Sequence, residues 1–246
     1  MVRGVRALLK RTAPGKLAKS GKFACFRART DSNRPTGPKL RGITKLLTKR
    51  LYSSATLPST GSWRGGAWAG ANGGLRRGRA VDAQVSRLAN ASALTRKHSK
   101  MLKLTRLCFN ALAYHNLVPV GSQRVVIDRQ RGIGTAADIV CTRGTAELVL
   151  VELKTGFGGD RTKGAGTCMQ SPIPKAKDTH VNRHFAQLAV TLHLFRKEAD
   201  TQATLLAKGI DKVSGCVLYV DADLSELFAL PAWWERRAAR IVDRIT

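Results

Sequence analysis

The sequence predicts an α/β fold in which helices pack on the faces of a small mixed sheet. Three observations support that class. Residues 84–115 show the apolar spacing of a helix, and residues 122–154 contain three short runs typical of strands. A second helical pattern at 179–197 then precedes another strand-like run at 214–220. The resulting order is helix, three strands, helix and strand, and packing helices on the sheet buries the apolar surfaces of both.

The first predicted element is one long or broken helix over residues 84–115. Leu104, Cys108 and Ala111 recur at helical spacing and form its apolar side. Basic side chains occupy its other surface, which we expect to face outward: Arg96, Lys97, Lys100, Lys103 and Arg106. This surface carries most of the charge in the middle of the chain.

Three strands are predicted next, at residues 122–127, 136–141 and 147–154. Asp128 begins the turn after the first strand, and Gly144 lies in the turn after the second. Residues 148–151 are apolar on both parities, as expected of a strand that is buried on both faces.

The second helix is predicted over residues 179–197, with Asp178 as its N-cap. A loop rich in Gly, Lys and Pro precedes it over residues 155–178, and loops of that length in a compact domain are commonly functional or disordered. The helix has an apolar stripe of Val181, Phe185, Leu188, Leu192 and Phe195, and beside it a polar stripe of His180, His184, Gln187 and Thr191.

A C-terminal helical region is predicted after the strand at 214–220. The sequence Asp223-Leu-Ser-Glu226 has the form of a capping box, which marks a helix start. Trp233 and Trp234 are expected to cover the sheet on that side.

The chain divides by composition into a basic N-terminal region, residues 1–80, and a folded domain, residues 81–246. Residues 53–80 hold seven glycines, which predicts a linker, and we expect the N-terminal region to be disordered. Residues 1–52 resemble a mitochondrial presequence, but a basic arm with a nuclear import signal and a plain solvated tail remain alternatives. The five cysteines form no C-x-x-C pair, so zinc-ribbon spacing is absent and a reducing, intracellular compartment is favoured.

The net charge of +27 predicts a polyanionic partner, and nucleic acid is the first candidate. Residues 1–80 carry 19 Lys or Arg and one acid, whereas residues 136–246 carry 15 and 13. An anionic membrane surface is the competing partner. The sequence has no apolar run of the roughly 20 residues that a membrane-spanning helix needs.

Asp138, Glu152 and Lys154 form the candidate catalytic cluster. Glu152 and Lys154 are two residues apart on one strand, so both side chains point to the same face. If the turn centres on Gly144, Asp138 pairs opposite Leu150 and shares that face. A slip of one residue would move Asp138 to the other face, so the site depends on this parity. Carboxylates beside an ammonium group suit a divalent metal ion and a scissile phosphate.

These residues resemble the PD-(D/E)xK nuclease superfamily, over about residues 84–220. Its core, the restriction-endonuclease-like fold, has the same order of helix, three strands, helix and strand. Asp138 followed by Glu152-Leu-Lys154-Thr-Gly is most similar to the RecB-type and lambda-exonuclease-like branches. Those branches also carry a glutamine on the following helix, where this sequence has Gln187. Many members add an acid on the first helix; residues 84–115 have none, and Asp82 or Asp128 could replace it.

The resemblance implies a metal-dependent DNA nuclease, either an exonuclease or a processing enzyme in recombination, repair or replication. Asp138, Glu152 and the carbonyl of Leu153 would hold Mg²⁺ or Mn²⁺, Lys154 would orient or help deprotonate a water, and Gln187 would fix Lys154 or the substrate. A junction-resolving endonuclease is a variant on the same core. A non-catalytic nucleic-acid-binding protein that retains the fold is the alternative from another class.

DNA is expected to contact the basic surface of the first helix and the loop before the second. The predicted contacts are Arg96, Lys97, Lys100, Lys103, Arg106, Arg161, Lys163 and His184. For the loop residues Arg161 and Lys163, plain solvated charge is the alternative; for His184 it is an exposed polar group of the helix.

Overall fold

A mixed β-sheet runs through the structure, and helices cover both of its faces. The computed structural model describes residues 2–11, 15–20, 23–28, 39–54, 57, 73–91, 100–156, 161–221 and 224–246. In chain order the upstream elements are α1 (Val2–Arg11), β1 (Gly15–Ser20), β2 (Phe23–Ala28), β3 (Lys39–Gly42), α2 (Ile43–Arg50), α3 (Gly73–Ala89) and α4 (Lys103–Tyr114). The downstream elements are β4 (Leu117–Asp128), β5 (Ile133–Arg143), β6 (Glu147–Thr155), β7 (Gly164–Cys168), β8 (Lys177–Thr179), α5 (His180–Arg196), α6 (Ala199–Leu206), β9 (Lys212–Val220), β10 (Ser225–Ala229) and α7 (Ala232–Ile245).

The larger described sheet has the strand order β1-β2-β3-β5-β6-β9-β10, with β4 paired to β5. β5 is antiparallel to both β4 and β6, whereas β6 and β9 run parallel. β7 and β8 pair separately within the predicted loop at 155–178. The α/β class and the mixed sheet predicted from the sequence are therefore confirmed, and α4, β4, β5, β6, α5 and β9 occur in the predicted order.

Each face of the sheet carries its own apolar core because side chains alternate along the strands. On β6, Leu148 and Leu150 join the core beneath α2, α5 and α7, while Val149 and Val151 join the core beneath α3 and α4. Both parities of β6 are therefore buried, as its apolar sequence predicted.

The packed core extends upstream of residue 81, where we expected a disordered basic region. Ile43, Leu46 and Leu47 of α2 are buried in the core beneath α5. Val5 and Leu9 of α1 are buried in the same core. These apolar side chains recur at spacings of three or four residues, so short helices among basic residues bury one stripe and leave the charges outside.

α3 begins at Gly73, inside the stretch that the glycines predicted to be a linker. Val81, Val85 and Leu88 are buried at helical spacing, and this packing outweighs the weak helix propensity of glycine, a cost of about 1 kcal/mol per residue. α3 and α4 are separate helices, which is the broken form of the predicted helix; residues 92–99, with Arg96 and Lys97, lie outside the described residues.

Two local predictions were wrong. Thr179, not Asp178, caps α5: the Thr179 hydroxyl accepts a hydrogen bond from Asn182 N at 3.3 Å. Asp178 instead binds Arg183 and Ser53. Residues 225–229 form the edge strand β10, antiparallel to β9, rather than the start of a helix. The unpaired backbone edge of β9 is satisfied by this pairing, and α7 starts later, after Pro231.

Among the described residues, no helix combines the length and apolarity needed to cross a bilayer. The side chain of Trp234, on α7, is fully buried in the core, as expected, whereas Trp233 remains 37% exposed.

Candidate active site

The candidate site lies where β5 and β6 stop pairing. Their ladder runs from Arg143↔Glu147 to Ile139↔Val151. Continuing the register places Asp138 opposite Glu152, two residues from the predicted pairing with Leu150. The predicted register was wrong because the turn centres on residue 145 rather than 144, with Gly144 at a φ of +61°. A shift of two keeps the parity of that pairing, and Asp138 and Glu152 both line one cleft.

Asp138 is held by the backbone of the neighbouring strand. Leu153 N donates a hydrogen bond to Asp138 Oδ2 at 2.9 Å. Beyond Asp138, β5 leaves β6 and next pairs, at Ile133 and Gly134, with the short strand β3. Asp138 thus lies next to the point where the two strands separate, and it lines the cleft there.

Glu152 is almost completely buried and has two side-chain partners. Gln187 Nε2, from α5, donates to Glu152 Oε1 at 2.6 Å. Lys154 Nζ forms an ion pair with the same oxygen. The four predicted catalytic residues, Asp138, Glu152, Lys154 and Gln187, therefore line one cleft of about 610 Å³.

The far wall of this cleft is formed by α3, which contributes a third carboxylate, Asp82. Gln123 Nε2 donates to Asp82 Oδ1 at 3.0 Å and orients it. Asp128, the other candidate for an additional acid, is the last residue of β4 and binds Arg131. Of the two acids, Asp82 is thus the one in the cleft.

The electrostatics of the cleft are set by burial and by the mutual effects of Asp82, Asp138, Glu152 and Lys154. Burial raises the pKa of Asp138 well above its usual range, and the charge of Glu152 raises it further. Burial also raises the pKa of Asp82, while the hydrogen bond from Gln123 offsets part of that effect. Burial alone lowers the pKa of Lys154, but the charges of Glu152 and Asp138 outweigh it and raise the pKa. Lys154 is therefore a cation at neutral pH.

The donor chemistry of the cleft fits a hard divalent cation. Asp82, Asp138 and Glu152 supply carboxylate oxygens, the ligands that Mg²⁺ and Mn²⁺ prefer. The raised pKa of Asp138 reflects unfavourable negative charge that a bound cation would compensate. Within the described parts of the chain, no three His, Cys, Asp or Glu side chains are already grouped closely enough to hold a metal ion.

The predicted nucleic-acid contacts occupy different environments. Lys100, Lys103 and Arg106 are exposed near or on α4, as predicted for a basic outer surface. Lys163 is exposed just before β7. These four positions can be reached by a polyanion.

Arg161 and His184 are engaged with aromatic side chains. The Arg161 guanidinium lies 4.9 Å from the Tyr219 ring centroid and 5.1 Å from that of Phe228, and it pairs with Glu226. His184 Nδ1 lies 2.8 Å from Tyr219 Oη. Burial and the charge of Lys154 lower the pKa of His184 well below its usual range. His184 is therefore neutral at physiological pH, and contact with DNA stays a prediction for both residues.

Sequence reasoning missed the contribution of α2 and α3 to the cleft: Thr44, Gly74, Leu75, Gly78 and Arg79. Gly78 allows α3 to approach β6, since a Cβ there would lie 3.2 Å from Thr155 Oγ1. The helical spacing of Val81, Val85 and Leu88 was the available signal for a helix that starts before residue 84.

The chain matches no protein-family model and no curated protein.

Proposed function

We propose that this protein is a metal-dependent DNA nuclease with a PD-(D/E)xK-type, restriction-endonuclease-like core, and that it acts as an exonuclease or processing enzyme in recombination, repair or replication. One observation carries the proposal. Asp82, Asp138 and Glu152 meet Lys154 and Gln187 in one cleft at the fork between two strands. The pattern that suggested the site is local to residues 138–154, whereas Asp82 and Gln187 reach it from distant segments.

Asp138, Glu152 and the Leu153 carbonyl are the groups that would hold Mg²⁺ or Mn²⁺, with Asp82 as an additional carboxylate. When bound, the ion would polarise the scissile phosphate and lower the pKa of a water. Burial and, to a smaller extent, the charge of Glu152 raise the pKa of both Asp138 and Asp82, and this unfavourable negative charge supports the assignment.

Lys154 and Gln187 have separable roles in this proposal. Lys154 carries a raised pKa and stays protonated, so it serves to stabilise negative charge on the phosphate in the transition state. It is a poor proton acceptor in this environment. Gln187 donates to Glu152 and fixes the orientation of that carboxylate, which makes it a positioning residue.

DNA as the substrate is supported by charge. The chain carries a formal net charge of +27, and Lys100, Lys103 and Arg106 are exposed outside the cleft. Contacts of this kind position a phosphate backbone without selecting a sequence.

The proposal is tested by cleavage of end-labelled single- and double-stranded DNA by the full chain. We expect degradation that requires Mg²⁺ or Mn²⁺ and stops with a chelator. Glu152→Gln should abolish cleavage, and Lys154→Met should lower its rate by about 100-fold or more because a preorganised cation is lost. Both variants should still bind DNA.

Asp211→Asn is the matched control, because Asp211 is an exposed acid just before the start of β9, the end of that strand far from the cleft. Its activity should equal that of the wild type. Cleavage that survives Glu152→Gln, or DNA binding by the wild type without metal-dependent cleavage, would refute the nuclease assignment.

A non-catalytic nucleic-acid-binding protein is the second candidate, and one feature favours it. Glu152 is already occupied by Lys154 and Gln187, and no grouped set of three metal-binding side chains occurs in the described ranges. Calorimetric titration of the wild type and of Glu152→Gln with Mn²⁺ separates the two candidates. If the protein is non-catalytic, Mn²⁺ binding should be the same for the wild type and for Glu152→Gln.

A further inference from the structure

A second basic surface lies on α7, outside the cleft. Trp233, Arg237, Arg240 and Arg244 follow one another at spacings of four, three and four residues, so they form one line along the helix, here called the α7 stripe. All four side chains are exposed. The opposite side of the helix is buried through Trp234, Ala238, Ile241, Val242 and Ile245.

The acids of α7 do not neutralise this stripe. Glu235 pairs with Arg196 at 2.7 Å, and Asp243 pairs with Arg131 at 2.7 Å. Within the described segments, no acid forms an ion pair with Arg237 or Arg240. The stripe therefore places three exposed arginines close together on one helix.

A groove of about 650 Å³ runs between the stripe and the turn at residues 171–176. Arg237 Nη1 donates to Pro172 O at 3.5 Å, which links the two walls. Ile173 and Ala176 of the turn are buried, so the turn is anchored in the core. Lys175 is exposed on the turn and adds a third cation at the groove.

Trp233 gives the groove an aromatic surface held in place. Its ring centroid lies 4.3 Å from that of Trp234, with 31° between the ring planes. Trp234 is completely buried, and Trp233 is 37% exposed. An exposed ring packed on a buried one loses little freedom when a second planar group stacks on it.

We propose that the α7 stripe and its groove bind a single-stranded segment of nucleic acid, with a base on Trp233 and phosphates at Arg237 and Arg240. Unpaired bases stack readily on aromatic side chains, and arginine pairs with phosphate in a bidentate manner. Bases inside a duplex already stack on each other and leave Trp233 no partner. The polymer's identity rests on the proposed function, whereas the strand preference comes from the groove.

A membrane surface is less suited to this helix. Basic amphipathic helices bind membranes by inserting their apolar face into the lipid. In α7 that face is already buried in the core, and Trp233 is the large apolar side chain of the helix that stays exposed. The apolar area available for insertion is therefore small, while the arginines and the ring fit a nucleotide chain.

The test measures binding of the full chain to labelled DNA in a chelator, so that cleavage plays no part. The probes are an oligothymidylate of about 20 nucleotides, longer than a typical single-strand site, and a blunt duplex of the same length. Trp233→Ala should weaken single-strand binding by about 5-fold or more and leave duplex binding unchanged. Trp233→Phe, which retains a ring, should keep most of the affinity.

Arg237→Gln with Arg240→Gln should weaken single-strand binding by about 10-fold. It should also reduce the slope of log K against log salt by about 1.4, the contribution of two phosphate contacts on a single strand. Lys197→Gln with Lys208→Gln is the matched control, because it removes two exposed charges from another part of the surface. That control should change neither quantity by a comparable amount.

The inference is overturned if the wild type binds the oligothymidylate and the α7 variants bind it equally well; the nuclease proposal then stands. It is also overturned if vesicles containing phosphatidylserine bind in a Trp233-dependent manner while the oligothymidylate does not. Failure of the wild type to bind either form of DNA would remove the nuclease proposal as well. If the wild type binds the oligothymidylate through the α7 stripe but does not cleave DNA, the nuclease proposal fails and the inference about α7 stands.

Discussion

Asp82 is the residue whose role depends most on the folded structure. It lines the cleft with Asp138 and Glu152, although it lies 56 positions before Asp138 in the chain. Burial raises the pKa of Asp82, so its charged form is costly to the fold in the absence of a cation. A residue that disfavours stability and faces a cluster of acids is typical of a functional position.

Asp82→Asn should therefore lower metal-dependent cleavage by about 10- to 100-fold, the usual effect of losing a supporting group at a metal site. The same change should leave the melting temperature equal or raise it, because an unfavourable buried charge is removed. Steady-state cleavage and thermal unfolding measure the two effects. Asp128→Asn, which alters an acid outside the cleft, should retain full activity. Equal activity of Asp82→Asn and the wild type would exclude Asp82 from the site.

At the residue scale, the sequence was sufficient to select Asp138, Glu152 and Lys154, which line one cleft. The common face of Glu152 and Lys154 follows from alternation along one strand, which is a local property. The exact pairing of Asp138 was not predictable because the turn could centre on residue 144 or 145. For the additional acid, the sequence offered Asp82 as one of two candidates. It could not choose between them, because the position of Asp82 relative to Glu152 is set by the packing of α3.

Among the elements, α5 is positioned by its close approach to β9. A Cβ on Gly215 would lie 3.2 Å from three carbon atoms of the Leu188 side chain. Leu188 follows Gln187, the residue that binds Glu152. The absence of a side chain at residue 215 thus allows α5 to bring Gln187 to the cleft.

Gly215→Val should destabilise the protein by about 1–3 kcal/mol, the usual cost of overpacking a core. It should also reduce cleavage, because α5 must move and Gln187 moves with it. Gly121→Val on β4 is the control: a Cβ there meets nothing within 4 Å, so the free energy of unfolding should change little. Denaturant unfolding of both variants gives the comparison. Equal effects at the two positions would contradict the packing argument.

The elements that sequence analysis misjudged share one cause. Glycines at 73, 74 and 78 indicated a linker, and the Asp223-Leu-Ser-Glu226 pattern indicated a helix start. Local propensities of this kind are worth about 1 kcal/mol each. Burial of Val81, Val85 and Leu88, and pairing of β10 with β9, stabilise the observed elements by more. Neither interaction can be predicted from the local sequence, because each joins segments that meet only when the sheet has formed.

On the scale of the whole molecule, a buried ion pair connects the N-terminal helix to the sheet and to α6. Arg124 Nη2, from β4, binds Glu198 Oε2 at 2.6 Å, and Arg124 Nη1 donates to Leu9 O at 3.2 Å. Thr201 Oγ1 donates to the same Glu198 oxygen at 3.0 Å. Arg124 is 5% exposed, so this group of contacts lies inside the structure and joins segments more than 70 residues apart.

Burial raises the pKa of Glu198 from 4.5 to about 7, despite the opposing effect of Arg124. A group whose pKa is higher in the folded state binds its proton more tightly there. Its contribution to stability is present below the unfolded pKa and is lost as pH rises through about 7. At about 1.4 kcal/mol per pKa unit, the loss amounts to at most about 3 kcal/mol.

Relative to Glu198→Gln, the wild type should thus lose free energy of unfolding between about pH 5 and about pH 8. Denaturant titrations of both proteins at several pH values measure the difference. Asp200→Asn, a change at an exposed acid on the same helix, should follow the wild type. A difference that is constant with pH would show that Glu198 does not change protonation in this range.

The sequence by itself determined the α/β class, the order of the central elements, the selection of Asp138, Glu152 and Lys154 as one candidate cluster, and the strong positive charge. These properties depend on periodicity and composition, which are local and can be read from neighbouring residues. The tertiary structure decided that α2 and α3 belong to the folded unit, that Asp82 lines the cleft, and that Trp233 lines a groove against the turn at residues 171–176. Those outcomes depend on contacts between distant segments, whose free energy exceeds the local preferences of the glycines and capping residues involved.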